Sequence, residues 1–241
     1  MIDLNNTKLF QRFLKAKNGL SSIFYPNLCE ICSVELPVNQ NKVCHYCLSS
    51  LRFTLFENYA TDTPIQELFY GRVPIEFAYS MVYFKKQTPI QDVLHKIKYE
   101  QGHELAKFMG KMMAKRLVEN EKFKDIQALV PIPLHRKKEI IRGYNQSLKI
   151  AEGLHLKSHI PIAEILVRTK HHESQTKKDK HGRFENVEAI FALKEVANIP
   201  NHIALVDDVI TTGATLEAAC RVIKKAFPDV KISLLSIAVA K

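Results

Sequence analysis

No stretch of this 241-residue chain stays apolar long enough to cross a membrane as a helix. The first twenty residues also lack the apolar centre of a signal peptide. Lys8, Arg12, Lys15 and Lys17 interrupt them, and Leu4, Phe10, Phe13 and Leu14 fit a short amphipathic helix instead. Nothing points to export, so a cytoplasmic location is expected. Acids are the scarce charge: 25 Asp and Glu face 35 Lys and Arg, for a net charge of +10. That balance favours polyanionic ligands such as phosphates, pyrophosphate or nucleic acid, without choosing among them. Tryptophan is absent, and the basic segments carry few aromatics, so base stacking there is limited. Tyr144 is the obvious candidate, and packing is the simpler use for it.

What is present is a globular composition with 46% hydrophobic residues, and five cysteines in an informative pattern. Cys29 and Cys32 form one C-x2-C pair, and Cys44 and Cys47 form another, with eleven residues between the pairs. Two such knuckles suit a tetrahedral zinc ion with four thiolate ligands, whereas disulfides are disfavoured in a reducing compartment. Four protein ligands leave no open position for a substrate, so the expected role is a folding staple; docking of a partner or nucleic acid is the alternative. His45 is a spare inside the second pair. Cys220 falls on the apolar side of a helix and reads as core.

Beyond the knuckles, 51–71 is apolar but irregular, and 74–84 alternates as one or two strands. A helix after Pro89 carries Ile90, Val93, Leu94 and Ile97 and ends near Lys98 and Tyr99. Another over 104–118 buries Leu105, Phe108, Met109, Met112 and Leu117. Strand 126–131 runs into two prolines and a basic turn over 135–142, followed by a helix that starts after Gly143 and runs to about Leu156. Strand 163–167 precedes 168–183, a long basic segment suited to a lid over a polyphosphate or an arm for nucleic acid. Strand character resumes over 188–193. The last strand, 230–238, puts Ile232, Leu234, Ser236 and Ala238 on one face.

The segment 203–218 reads strand, acidic pair, hydroxyl loop, helix. Ile203, Ala204, Leu205 and Val206 suit a buried parallel strand. Asp207 and Asp208 follow, then Thr211, Thr212, Gly213, Ala214 and Thr215, then Leu216, Ala219, Cys220, Ile223 and Ala226 at helical spacing. A loop ending in a helix N-terminus offers unpaired amides and the positive end of the helix dipole to a phosphate. Two carboxylates beside it make sense if they grip sugar hydroxyls or a magnesium ion bridging to the ligand.

This segment resembles the phosphoribosyl pyrophosphate motif of type I phosphoribosyltransferases. The resemblance implies that Asp207 and Asp208, the catalytic candidates, hold the ribose 2- and 3-hydroxyls. It likewise implies a binding role for Val209 and a 5-phosphate cradle made by Thr211, Thr212, Gly213, Ala214 and Thr215. By the same analogy His135, Arg136, Lys137 and Arg142 are pyrophosphate candidates, with Arg168, Lys170 and Arg183 on the lid. Purine-salvage relatives carry an acid where Thr211 stands, so transfer to hypoxanthine or guanine is disfavoured.

The order of the paired knuckles, 130–147, Arg168-Thr169, Ser174-Gln175-Thr176, Arg183, Asn186-Val187 and 206–215 resembles the ComF family of bacterial competence and DNA uptake. This resemblance runs from about Ile23 to Lys241. It implies an α/β fold, a Rossmann-like parallel sheet flanked by helices of the type I phosphoribosyltransferase kind, with a small N-terminal four-cysteine zinc-finger module. The expected division is 1–60 for the N-terminal helix and finger and 61–241 for the larger domain. Structural zinc, magnesium with phosphoribosyl pyrophosphate, single-stranded DNA and other competence proteins are the expected ligands and partners. Two functions fit: transfer of phosphoribosyl to an acceptor, and non-catalytic binding of single-stranded DNA with the pocket sensing a nucleotide or phosphoribosyl pyrophosphate.

Overall fold

The computed structural model describes residues 26–37, 42–169 and 190–240. The chain divides into two compact units, one up to Ser50 and one from Leu51 onward. The expected N-terminal helix, the turn at Asn39–Asn41, and Lys170 and Arg183 with most of the basic segment lie outside the described residues, as do Ser174, Gln175, Thr176, Asn186 and Val187.

In the first unit, Leu28 bridges Glu35 in antiparallel fashion around the first cysteine pair, and the amide of Glu30 donates to the carbonyl of Lys42. Cys44 caps α1 (His45–Ser49), its sulfur accepting from the amide of Cys47.

The second unit opens with a 3-10 turn, Phe56–Asn58, and α2 (Pro64–Glu67). Thr63 and Gln66 form a capping box, which gives the irregular 51–71 stretch its one clear helix start. β1 (Phe77–Phe84) is a single strand. α3 (Pro89–Tyr99) begins on its proline and buries Ile90, Val93, Leu94 and Ile97 as the spacing requires. α4 (His103–Leu117) buries Leu105, Met109, Met113 and Leu117 with Ala106, Gly110 and Ala114 between them. Phe108 and Met112, expected inside, are only half-buried, because the buried stripe advances by four residues through Met113. After α5 (Glu121–Lys124) comes β2 (Ala128–Pro131).

The basic 135–142 stretch is a helix, α6 (Arg136–Arg142), rather than a turn. His135 caps it by accepting from the amide of Lys137 at 3.2 Å, and Gly143 ends it at φ 77°. α7 (Gln146–Ser158) therefore starts at Gln146 rather than directly after Gly143, on an Asn145 cap. β3 (Leu166–Arg168) and β4 (Phe191–Leu193) pair antiparallel as a separate ribbon. Arg168, expected on the lid, is the last residue of β3, with its guanidinium 5.4 Å from the centre of the Phe191 ring. The chain closes with β5 (His202–Ile210), α8 (Ala214–Ala226) and β6 (Lys231–Ala240).

The main sheet is parallel throughout, in the order β1-β6-β5-β2. Ile203 to Val206 in β5 are fully buried between β2 and β6. Burial of Ile203, Leu205 and Val206 stabilises the fold by about 1.5–3 kcal/mol each. A one-residue slip would swap every side chain to the other face, so this burial fixes where the acids after Val206 emerge. β5 passes through α8 to β6 on one side. β2 passes through α6 and α7 to Ile162, which bridges Leu129 on the opposite side. The chain thus turns opposite ways after two neighbouring strands, and the crevice beyond their carboxyl ends is where open α/β sheets bind ligands.

Candidate functional site

The acidic pair is part of β5, not of the loop: the strand runs on to Ile210. Alternation along the strand then sends the two carboxyls apart. Asp207 Oδ1 accepts from the Ser147 hydroxyl at 3.0 Å and from the amide of Asp208 at 2.9 Å. Asp208 is 4% exposed, with Lys98 Nζ 3.2 Å from its Oδ2. That contact is a charge pair without a well-aligned hydrogen bond, so the buried oxygen keeps unused acceptor capacity. Burial first, then the neighbouring charge of Asp208, push the Asp207 carboxyl up to about 7; the Asp208 amide, Ser147 and Lys98 only partly oppose this.

Ser147 reaches Asp207 because α7 is anchored at its start. Asn145 Nδ2 donates to the carbonyl of Ile132 at 3.1 Å, while Asn145 Oδ1 accepts from the Ser147 amide at 2.9 Å. The Tyr144 hydroxyl donates to the carbonyl of Ile97 at the end of α3. Burial is the main cause raising its pKa to about 12, with Arg142 opposing and Asp208 adding to the rise. The 144–147 stretch thus ties α3, β2 and β5 together beside the acids. Arg142 sits 5.3 Å from the centre of the Tyr99 ring and donates to Gln146 Oε1 at 3.0 Å. His135, Arg136 and Lys137 follow the carboxyl end of β2, with Arg136 and Lys137 exposed. None of the three has a side-chain contact with Asp207 or Asp208 among those described.

The bend from Thr211 to Thr215 lies at the head of α8. Gly213 has φ 76° and serves as the helix cap, with no side-chain cap bond. Thr211, Thr212, Ala214 and Thr215 are exposed, while Gly213 is buried against Phe69. A Cβ at Gly213 would fall 2.7 Å from Phe69 Cζ. The side chains of Thr211, Thr212, Ala214 and Thr215 lie on the outer face, where the Ala214 amide donates to Thr212 Oγ1 at 3.4 Å; a helix start capped by glycine leaves its other first-turn amides for an anion. Behind the bend, Arg72 donates to the carbonyl of Thr212 and to Glu217. A cavity of about 430 Å3 lies on this side, walled by residues of the 66–75 segment and not by the acid pair. Lys98, Phe69 and Arg72 escaped the sequence reading, and Ser147 entered it only as the end of the 130–147 stretch, without a role. Only the tight 144–147 cluster carried any signal, since the others lie 110 to 145 residues from the groups they touch in the site.

In the first unit, ligand atoms of Cys29, Cys32, Cys44 and Cys47 all lie within 4.8 Å of one another. The sulfurs of Cys32 and Cys44 are 3.7 Å apart. Four thiolates at the usual zinc distance stand about 3.8 Å apart on a tetrahedron. Amides point at the sulfurs: Cys44 and Ile31 donate to Cys29 Sγ at 3.3 and 3.5 Å. Burial raises the Cys29 pKa, but these donors and that of Cys32 outweigh it and bring the thiol down to about 6. For Cys47, burial and the neighbouring sulfurs raise it. Such a cluster can hold a metal ion such as zinc. Cys220 is fully buried in α8, which pushes its pKa up to about 12 and leaves it inert. Among the described residues, no helix is long and apolar enough to cross a membrane.

No protein-family model matches the chain. Similar proteins do exist. Over 93 residues, 39% of this chain, it is 42% identical to Competence protein ComFC of Bacillus subtilis, covering 36% of that protein. Over 102 residues, 41% of the chain, it is 35% identical to Competence protein F of Haemophilus influenzae, covering 44% of it. Over 200 residues, 79% of the chain, it is 24% identical to DNA utilization protein YhgH of Escherichia coli, covering 88% of it. The matches thus span less than half the length of the two competence proteins and most of the third. With the four-cysteine cluster preceding a parallel α/β sheet, these likenesses make the chain similar to proteins of the ComF type and support a place among them.

Proposed function

We infer that this protein binds phosphoribosyl pyrophosphate with magnesium at the carboxyl end of β5 and serves DNA uptake. The observation that carries the ligand reading is the bend itself. A glycine-capped helix start with an exposed outer face follows directly on two acids held at the end of a buried parallel strand. The amides of the bend take the 5-phosphate, with hydroxyl donors from Thr211, Thr212 and Thr215. Asp207 and Asp208 accept from the ribose hydroxyls, and Ser147 and Lys98 hold the two carboxyls in place. Two carboxylates, one with a buried oxygen that accepts no hydrogen bond, are a hard-oxygen donor set suited to magnesium. Magnesium, when bound, supplies positive charge to the pyrophosphate oxygens. Arg142 and the exposed Arg136 and Lys137 add positive charge beyond β2.

The names of the relatives, two competence proteins and a DNA utilization protein, support the uptake role. They also favour a second reading, in which the chain handles single-stranded DNA and the pocket senses its ligand without turnover. Zinc in the four-cysteine cluster staples the first unit under either reading.

Titration calorimetry with phosphoribosyl pyrophosphate and magnesium tests the ligand reading. The Asp207→Ala/Asp208→Ala double variant is expected to fold and to lose binding. Undiminished binding by that variant would refute the assignment. Pyrophosphate release in the presence of candidate acceptors then separates transfer from sensing.

A further inference from the structure

The bend is held from behind by a residue that no motif includes. Arg72 Nη1 donates to the carbonyl of Thr212 at 2.9 Å and to that of Leu68, also at 2.9 Å. Its Nε donates to Glu217 Oε2 at 2.8 Å, and Nη2 contacts the same oxygen. Glu217 is in the first turn of α8 and also accepts from Arg221. The guanidinium lies 5.3 Å from the centre of the Phe69 ring, the ring that fills the space where a Cβ on Gly213 would be. Three points of the bend are thereby fixed from one side: the Thr212 carbonyl, the Cα of Gly213 and the first helical turn.

The geometry has a consequence for the other side. In a trans peptide the C=O and the following N–H point in opposite directions. No described peptide is cis. With the Thr212 carbonyl drawn toward Arg72, the Gly213 N–H must face away from it, toward the open side of the bend. We propose that Arg72 is a positioning residue for the phosphate cradle: by gripping the Thr212 carbonyl and Glu217 together, it holds the Gly213 amide outward to receive the phosphate. This rests on the reading of the bend as a phosphate site. The role needs a planar fork that donates in two directions at once, which a lysine ammonium on a flexible stem does not reproduce.

The test compares the full-length protein with its Arg72→Lys and Arg72→Gln variants. Hydrogen exchange of the bend amides is measured without ligand, and affinity for phosphoribosyl pyrophosphate with magnesium is measured by calorimetry. Arg72→Lys is expected to keep the fold, to speed exchange across 212–216 by about tenfold, and to weaken the ligand by a similar factor. Glu217→Gln, which leaves the Thr212 contact in place, is expected to show the smaller effect on both. It also serves as the comparison if an Arg72 variant does not fold. Exchange and affinity within about twofold of the parent protein would overturn the inference. A parent protein that ignores the ligand would overturn the phosphoribosyl pyrophosphate reading alone, and exchange in the bend would still decide whether Arg72 holds it.

Discussion

At the residue scale, Asp207 is a carboxyl kept where its charge is costly. Its pKa is about 7 in the fold against an ordinary 3.8. Below 3.8 both folded and unfolded chains carry the proton, and the contribution to stability is fully present. As pH rises from 3.8 through about 7, the unfolded chain releases its proton first, and that stability is lost. Asp207→Asn retains an Oδ1 acceptor for Ser147 and for the Asp208 amide while removing the charge. Urea denaturation should therefore find the variant more stable than its parent at about pH 8, the difference vanishing below about pH 4. Equal stabilities across that range would contradict the account. Stability given up by a native acid at this position accords with the proposed role of Asp207 in meeting a ligand's hydroxyls or cation.

At the element scale, the position of α7 decides whether Ser147 reaches Asp207. α4 and α7 approach so closely that a Cβ on Gly110 would sit 2.1 Å from the Ile150 carbonyl oxygen, and one on Gly153 would sit 2.0 Å from that of Lys107. No side chain yields at these contacts, because both partners are backbone. Gly153→Ala must push the helices apart, at a cost of about 1–3 kcal/mol or more. It is expected to lower the melting temperature and to weaken phosphoribosyl pyrophosphate binding, although it lies two turns from the site. Normal stability together with normal binding would refute the link between this crossing and the acids.

The same scale shows what was legible in the sequence. The β5–α8 unit could be read because its signals are local: four apolar residues, two acids, a glycine and a helical repeat fall within one run. The extension of β5 through Ile210 could not, because it depends on pairing with β6, where Asp207 faces Ser236 and Ile210 faces Val239. α6 was hidden by its polarity: it buries no residue, so it has no apolar stripe, and its start shows only in the His135 cap. Lys98, Phe69 and Arg72 reach the site solely through the fold.

At the scale of the whole molecule, the chain carries a net charge of +10. The +10 balance supports the single-stranded DNA reading through an electrostatic, sequence-tolerant term. If that reading holds, affinity for an oligonucleotide should fall at least about tenfold between roughly 50 and 200 mM salt. An affinity indifferent to salt would count against it. The central claim, however, concerns the bend and not the surface charge. Its most direct test is a crystal structure of the protein grown with phosphoribosyl pyrophosphate and magnesium. The account predicts the 5-phosphate within hydrogen-bonding distance of the amides from Gly213 to Leu216, with the ribose hydroxyls on Asp207 and Asp208. A ligand bound elsewhere, with the bend unoccupied at saturating concentration, would contradict it.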